Sequence, residues 1–135
     1  MIIDTLIKGI QVKDNPTVVG LDTSFDYLPE EMRAGVADSK GAAEAIFAFN
    51  KKLIDAVADV VPAVKVQIAY YEMYGVEGLR AFAQTLQYAK AQGLIVITDA
   101  KRNDIGATAE CYAKAFLGET PVGGSSLRAF DSDFL

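Results

Sequence analysis

Residues 94–108 read LIVITDAKRNDIGAT, an apolar run followed at once by two aspartates and a lysine within six residues. The apolar part, residues 94–97, predicts a buried strand. Because side chains alternate along a strand, a strand that reaches Lys101 would point Asp99 and Lys101 to the same side. The Asn-Asp pair at residues 103–104 then signals a helix N-cap. The stretch therefore predicts a strand that ends in an ion pair and turns into a helix, at the kind of strand end where α/β proteins carry their chemistry.

The rest of the chain repeats this alternation of strand and helix. Further strands are predicted at residues 17–21 and 63–68, with a fourth beginning at residues 133–135. Helical periodicity covers residues 2–12, 42–61, 76–92 and 105–117, with a shorter helix within residues 29–38 and loops at residues 70–75 and 119–129. Successive strands are separated by more than about 25 residues, which predicts parallel pairing through right-handed crossovers.

Charged residues stand at or near the carboxyl end of each predicted strand. They are Asp22 after the first strand, Lys65 within the second, and Asp99 with Lys101 after the third. Convergence of charges from consecutive strands onto one rim is typical of (β/α)8 barrels. An open doubly wound sheet also fits the alternation, but no glycine-rich nucleotide-binding motif follows the first strand. We therefore predict an α/β fold of the TIM-barrel type.

The chain length limits how much of a barrel can be present. A complete barrel needs about 250 residues, whereas this chain has 135. The predicted elements amount to three βα units and the start of a fourth strand. Residues 1–135 are therefore interpreted as one partial domain, the N-terminal half of a barrel without its C-terminal half. Uncovered strand edges predict that this half requires its remainder, or a second copy, to fold stably.

Composition and charge narrow the class of protein. Hydrophobic residues make up 51% and charged residues 23%, as in a globular domain. The net charge of −5 argues against nucleic acid or an anionic membrane as a partner. One cysteine and no histidine exclude an intrachain disulfide and give little support to a zinc site. Without a signal-peptide pattern or an apolar run of membrane length, a cytoplasmic protein is expected.

Each of the charged residues also has a purely structural interpretation. Asp22 suits a turn or a cap, and an isolated D-x-K-x-x-D segment is often a solvated loop. Lys65 lies between two valines, where a lysine extends to solvent, pairs with an acid or serves a site. An edge strand would also accommodate this lysine. Only the wider sequence context separates these interpretations.

Three blocks of sequence carry a family resemblance. They are residues 18–24 with Tyr27-Leu28-Pro29, residues 64–67 with Tyr71, Glu72 and Gly75, and residues 99–108. Together they resemble the orotidine 5'-phosphate decarboxylase family, in its longer bacterial-type branch, over nearly the whole chain. The resemblance implies decarboxylation of orotidine 5'-phosphate to UMP in de novo pyrimidine biosynthesis, with no cofactor and no metal.

The resemblance also implies roles for the charged residues. The family's tetrad of alternating lysine and aspartate corresponds to Lys65, Asp99, Lys101 and Asp104. Lys101 is then the proton donor to pyrimidine C6, Asp99 lies beside the departing carboxylate, and Lys65 holds the network and reaches the ribose. These residue types suit the chemistry, because a fixed ammonium stabilises a developing carbanion and can protonate it. Flanking carboxylates keep that ammonium charged.

A site shared between subunits is a further implication of the resemblance. Asp22 contacts the ribose, while Asp104 and Thr108 reach the ribose hydroxyls in the site of a neighbouring subunit. This implies a homodimer that binds a small nucleotide. The family's phosphate-gripping loops follow later strands, and such remote contacts supply much of the binding energy used in catalysis. We therefore expect the chain alone to be inactive or nearly so.

Two other functions stay open. A related barrel family of magnesium-dependent sugar-phosphate lyases and decarboxylases shares the D-x-K-x-x-D element, although it usually has an acid at the position of Lys65. The other alternative is a truncated, non-catalytic domain that only dimerises or binds nucleotide.

Overall fold

The computed structural model describes residues 1–135 and has an α/β fold in which strands and helices alternate. The helices are α1 (Ile2–Lys13), α2 (Glu30–Arg33), α3 (Ser39–Val57), α4 (Ala69–Glu72), α5 (Gly75–Ala91) and α6 (Gly106–Phe116), with a 3₁₀ turn at Phe25–Tyr27. The strands are β1 (Val18–Leu21), β2 (Ala63–Gln67), β3 (Ile95–Asp99), β4 (Thr120–Val122) and β5 (Ser125–Leu127). No helix has the length and apolar character that crossing a membrane requires.

Strands β1, β2 and β3 form one parallel sheet in that order, so β2 is the central strand. In register, Leu21 lies opposite Val66, and Val66 lies opposite Thr98. The long helices α3 and α5 connect neighbouring strands, as parallel pairing requires. The three predicted strands, their parallel pairing and the two long helices are confirmed. The helix predicted over residues 42–61 begins and ends somewhat earlier, at Ser39–Val57.

The core lies between the sheet and the two connecting helices. One face of the sheet directs Leu21, Val64 and Val66 into this core, where each side chain is 0% exposed. Phe82 of α5 is equally buried and meets Tyr71 edge to face, with 5.4 Å between the ring centres. Burial of a side chain of this size contributes roughly 1.5–3 kcal/mol. Because strand side chains alternate, the charged residues of the strands fall on the opposite face.

Two segments predicted as loops contain regular structure instead. Residues 69–72 form helix α4, because the Tyr71 ring turns into the core and is only 1% exposed. Residues 120–127 form an antiparallel hairpin whose turn is Gly123–Gly124, with φ angles of 53° and 84°. Glycine adopts such angles without steric penalty, so a composition typical of loops also permits a tight hairpin turn. The helix predicted within residues 29–38 is reduced to the single turn of α2.

Helix α1 agrees with its predicted range but leaves its apolar face uncovered. None of its residues is buried, and Ile7 is 48% exposed. The helix is attached at its C-terminal end, where Lys13 Nζ donates hydrogen bonds to the carbonyl oxygens of Ala58 and, at 2.7 Å, of Val61. These carbonyls follow α3 directly, so the lysine caps the end of that helix.

A fourth parallel strand begins beside β3, as predicted. Phe134 forms a parallel bridge to Ile97. The carbonyl oxygen of Phe134 accepts the Thr98 N–H at 2.9 Å. The chain therefore consists of three βα units followed by the first contacts of the next strand.

Asp133 anchors this fourth strand, and we expect its loss to destabilise the protein. One carboxylate oxygen accepts the Val96 N–H at 2.9 Å, and the other meets Lys90 Nζ at 2.8 Å. Asp133→Ala leaves both groups without this partner and should lower the free energy of unfolding by about 1–3 kcal/mol. Asp133→Asn, which keeps an oxygen for Val96, should cost less. Urea denaturation measures both, with Asp59→Ala at an exposed position as control; equal stability of all three variants would contradict the anchoring role.

Candidate active site

The carboxyl ends of the three parallel strands bring the predicted charged residues to one edge of the sheet. Asp22 follows Leu21 directly, and the register places it level with Gln67 and Asp99. Lys65 lies two residues before Gln67 on the central strand, so its side chain projects from the same face. The lysine can therefore extend between two carboxylates that belong to the strands on either side.

The ion pairs at this edge alternate in sign. Lys65 Nζ lies 2.7 Å from Asp22 Oδ1 and 3.7 Å from Asp99 Oδ2. Lys101 Nζ lies 3.0 Å from Asp99 Oδ1. The resulting order of charges is Asp22, Lys65, Asp99, Lys101, so every carboxylate has an ammonium neighbour and every ammonium a carboxylate. Each charge in this order is attracted by its neighbours.

Lys65 owes its position to the strands around it. The expectation that it pairs with an acid is confirmed, and the edge-strand interpretation is wrong because β2 is central. Gly20 lies opposite Lys65 on β1, and a Cβ added there would lie 3.8 Å from Lys65 Cε. That distance is an ordinary van der Waals contact, so the aliphatic part of Lys65 packs along Gly20, and the lysine side chain is 31% exposed.

Lys101 reaches Asp99 by a different route from the one predicted. Strand β3 ends at Asp99, so the expected alternation along an extended strand does not apply to Lys101. Instead, Lys101 has a φ of 48°, in the left-handed region, and the turn directs its ammonium back to the Asp99 carboxylate. A side chain in this conformation costs about 1 kcal/mol. The side chain is 75% exposed, so its ammonium faces open space beyond the carboxylate.

The carboxyl group of Asp99 has a pKa below its ordinary value of 3.8. The hydrogen bond from Lys101 is the largest cause, and it outweighs the partial burial that acts in the opposite direction. The charge of Lys101, a hydrogen bond from Gln67 and the charge of Lys65 lower the pKa further. Asp99 is therefore a carboxylate throughout the neutral range, although it is surrounded by protein on several sides.

This lowered pKa has a measurable pH dependence. We expect the Asp99 carboxyl to titrate below 3.8 in carbon-13 NMR and to return towards that value in Lys101→Gly, which removes the largest cause. A carboxyl whose pKa is lower in the folded state stabilises the fold above its unfolded pKa and loses this contribution as the pH falls through the folded pKa. The stability difference between the wild type and Asp99→Asn should therefore diminish as the pH falls below about 4. An Asp99 pKa at or above 3.8 in the wild type would contradict this interpretation.

Asp104 and Thr108 lie apart from the alternating ion pairs. Asp104 is exposed, forms no ion pair, and accepts only the N–H of Ile105 at 2.8 Å. Thr108 is exposed in the first turns of α6. The predicted N-cap at residues 103–104 is wrong: Ile105 occupies the cap position in an extended conformation, and α6 begins at Gly106 with a φ of 58°. That extended residue turns the start of the helix away from the Asp104 side chain.

A cleft of about 470 Å³ opens beside the ion pairs. It is lined by Lys65, Asp99, Lys101 and Arg102, among others, which gives it three cationic groups. Arg102 donates to the Ala100 carbonyl oxygen at 2.6 Å and forms an ion pair with Glu72. The chain contains no cluster of three or more acidic or cysteine side chains that could hold a metal ion.

The Arg102–Glu72 pair joins the loop after β3 to helix α4, and the sequence interpretation gave neither residue a role. Arg102 belongs to the loop after β3, and Glu72 to the segment after β2. Both lie in segments that follow a strand, and their charges are opposite. That combination is the signal from which the pair could have been anticipated.

A parallel sheet whose consecutive strands end in converging charged residues is typical of the β/α-barrel class. Residues 20–122 match the model of the Orotidine 5'-phosphate decarboxylase / HUMPS family. The chain belongs to this family. Its three βα units are accordingly part of a (β/α)8 barrel.

Named relatives agree with the family model. Over 136 aligned residues, the whole chain is 50% identical to an orotidine 5'-phosphate decarboxylase from Clostridium acetobutylicum and covers 43% of it. It is 44% identical to the enzyme of that name from Clostridium perfringens (strain 13), of which it covers 42%. The chain thus spans less than half the length of these relatives.

Solved structures show the same fold. A putative orotidine 5'-phosphate decarboxylase from Streptomyces avermitilis superposes with a TM-score of 0.68 at 30% identity, over 84% of this chain and 38% of that one. The OMP decarboxylase of Leishmania donovani gives a TM-score of 0.64 at 30% identity, with the same coverage of 84% and 38%.

Proposed function

We propose that residues 1–135 form a partial barrel domain that carries the charged part of an orotidine 5'-phosphate decarboxylase site. The reaction would convert orotidine 5'-phosphate to UMP in cytoplasmic pyrimidine biosynthesis without a cofactor. The observation that carries this proposal is the alternation of Asp22, Lys65, Asp99 and Lys101 beside the cleft. The names of the relatives support the choice of substrate.

The chemistry follows from where the ammonium of Lys101 is held. When the bond from C6 to the carboxylate breaks, CO₂ leaves and the electron pair stays on C6. An ammonium beside C6 stabilises that developing charge and then transfers a proton to it. Lys101 is suited to both steps because its ammonium lies 3.0 Å from the Asp99 carboxylate and its side chain lines the cleft.

Lys65 and Asp22 have supporting parts in this proposal. Lys65 forms ion pairs with both neighbouring aspartates and so offsets the repulsion between their negative charges. Asp22 lies at the rim, 42% exposed, where its second oxygen can accept a ribose hydroxyl. The substrate's own carboxylate would then approach Asp99, which is already ionised.

Asp104 and Thr108 are proposed to act in the site of a second subunit. Neither touches the ion pairs of its own chain, and both are exposed near the start of α6. Their neighbour Ile105 is 86% exposed, and an exposed apolar side chain of this size suits a subunit interface. A two-fold dimer packed through this region would bring both side chains to the ribose hydroxyls bound by the partner.

A magnesium-dependent reaction on a sugar phosphate is the second candidate, because the matching family model covers both groups of enzymes. Lys65 argues against a magnesium-dependent reaction. Lys65 occupies the space between Asp22 and Asp99 that a divalent cation would need if those carboxylates were its ligands. A domain that only binds nucleotide or dimerises is the remaining alternative.

A fused protein tests these proposals. Residues 1–135 would be joined to the part of the Clostridium acetobutylicum relative that lies outside the match, and decarboxylation of orotidine 5'-phosphate would be measured by UMP formation. We expect activity that persists in EDTA, and little activity from the 135-residue chain alone. A folded fusion without activity would defeat the proposed function, whereas activity on a sugar phosphate that requires magnesium would favour the second candidate.

A further inference from the structure

A continuous line of polar side chains crosses the apolar core behind the site. Thr23 Oγ1 donates to Asn50 Oδ1 at 2.6 Å, and Asn50 Nδ2 donates to the Tyr71 hydroxyl at 2.8 Å. That hydroxyl donates to Thr85 Oγ1 at 3.4 Å, and Thr85 donates to the Ala81 carbonyl oxygen at 2.8 Å. Asn50 and Thr85 are 0% exposed, Tyr71 1% and Thr23 6%. The network is therefore both closed to solvent and fully hydrogen-bonded.

A buried asparagine in the middle of a packed helix requires an explanation. Asn50 lies on the face of α3 that otherwise carries Ile46 and Ile54, both of which are also 0% exposed. Burial of an amide is unfavourable unless all its hydrogen bonds are made. An aliphatic residue at position 50 would stabilise an ordinary core at least as well. The amide therefore serves the two groups that it joins.

Those two groups belong to the segments that carry the site. Thr23 is the residue directly after Asp22, at the end of β1. Tyr71 lies in α4, which follows β2, the strand of Lys65. Asn50 thus connects the ends of the two strands whose charged residues meet at 2.7 Å.

We infer that Asn50 is a positioning residue, which through Thr23 and Tyr71 fixes the distance between the Asp22 carboxylate and the Lys65 ammonium. Its effect on a reaction rests on the proposed function, but its effect on the ion pair does not. A loss of the amide should let the loop after β1 shift, so that Lys65 loses its closest partner. Misplacement of a reacting group by about 1 Å costs on the order of a hundredfold in rate.

Variants of the network separate positioning from simple stability. Asn50→Leu and Thr23→Val remove the link between the two strand ends, and Thr23→Ser retains it. Thr85→Val removes a hydroxyl from the far end of the same network and serves as the matched control. All four are expected to lower the melting temperature to differing extents, because each alters a buried contact. Thr23→Val is the mildest change to the core, since Thr23 lies at its margin.

The state of the ion pair can be read from the reactivity of Lys65 in the fused protein, in which the barrel is complete. Acetylation by acetic anhydride, measured by mass spectrometry relative to exposed Lys52, should rise about fivefold in Asn50→Leu and Thr23→Val, as expected for loss of one partly exposed ion pair. Thr23→Ser and Thr85→Val should match the wild type. In the fused protein, kcat should fall about tenfold to a hundredfold in the first two variants only.

The outcomes distinguish this inference from the proposed function. Unchanged Lys65 acetylation in folded Asn50→Leu and Thr23→Val would overturn the inference, whatever the activity of the fused protein. An equal rise in Thr85→Val would also overturn it, because the effect would then follow stability alone. If the unmodified fused protein lacks decarboxylase activity, the proposed function fails while the acetylation result still decides the role of Asn50.

Discussion

Replacement of Lys101 by glycine in the fused protein is expected to reduce the rate of decarboxylation by a factor of at least about 10⁴. Two contributions disappear together: the charge that stabilises the carbanion, worth on the order of 10²–10³, and the proton transfer, worth on the order of 10²–10⁴. Glycine is chosen because Lys101 has a φ of 48°, which glycine adopts without strain. The measurement is the rate of UMP formation at saturating orotidine 5'-phosphate.

The design of this substitution separates chemistry from folding. Relief of the strained backbone should leave Lys101→Gly at least nearly as stable as the wild type, although one exposed ion pair is lost. Lys52→Ala removes the same charge from an exposed position on α3 and should leave the rate unchanged. A stable Lys101→Gly variant that retains about a tenth or more of the activity would exclude Lys101 from the chemical step.

Replacement of Asp104 by alanine should have the second-largest effect, and the effect should be reversible by mixing. Alone, Asp104→Ala is expected to lose activity by about 10²-fold or more, because a charged contact to the substrate disappears. Mixed with inactive Lys101→Gly, it should regain about one quarter of the wild-type activity, since in a two-fold dimer half of the molecules are hybrids with one intact site. UMP formation after subunit exchange measures the recovery.

The recovery depends entirely on where Asp104 acts. If Asp104 served the site of its own chain, each hybrid would hold one site without Lys101 and one without Asp104, and mixing would restore nothing. Asp59→Ala, at an exposed position away from α6, controls for the loss of a negative charge and should remain active alone. Recovery on mixing would also show that the chain forms a dimer, because the recovered site must contain residues of two chains.

Strong periodic signals predicted the elements that form the core. Strands β1, β2 and β3 are short apolar runs, and α3 and α5 have wide apolar faces. The spacing of their buried residues therefore distinguishes strand from helix. Pairing with an acid was one of the outcomes predicted for Lys65, beside extension to solvent and service in a site, and Asp22 supplies that partner. These inferences hold because each depends on the chemistry of a residue and its immediate neighbours.

Other features depend on contacts that the sequence does not display. The segment after β2 is helical because Tyr71 packs against Phe82 and Asn50. Both of these residues lie far from Tyr71 in the sequence. Asn50 lies at the spacing of the buried face of α3, but the sequence does not show which groups its amide bonds. The apolar face of α1 was visible in the sequence, but only the structure places it outside the core.

By itself, the sequence determined that strands and helices alternate, that the strands are parallel, and that opposite charges follow them, because side-chain periodicity and connection length are local properties. The tertiary structure decided how those charges meet. It placed Lys65 on a central strand between Asp22 and Asp99, and it turned Lys101 back through a left-handed residue instead of an extended strand. The physical reason is that an ion pair depends on distances of 3–4 Å between side-chain atoms. Strand register sets this distance for Lys65 and Asp99, and a backbone turn sets it for Lys101 and Asp99.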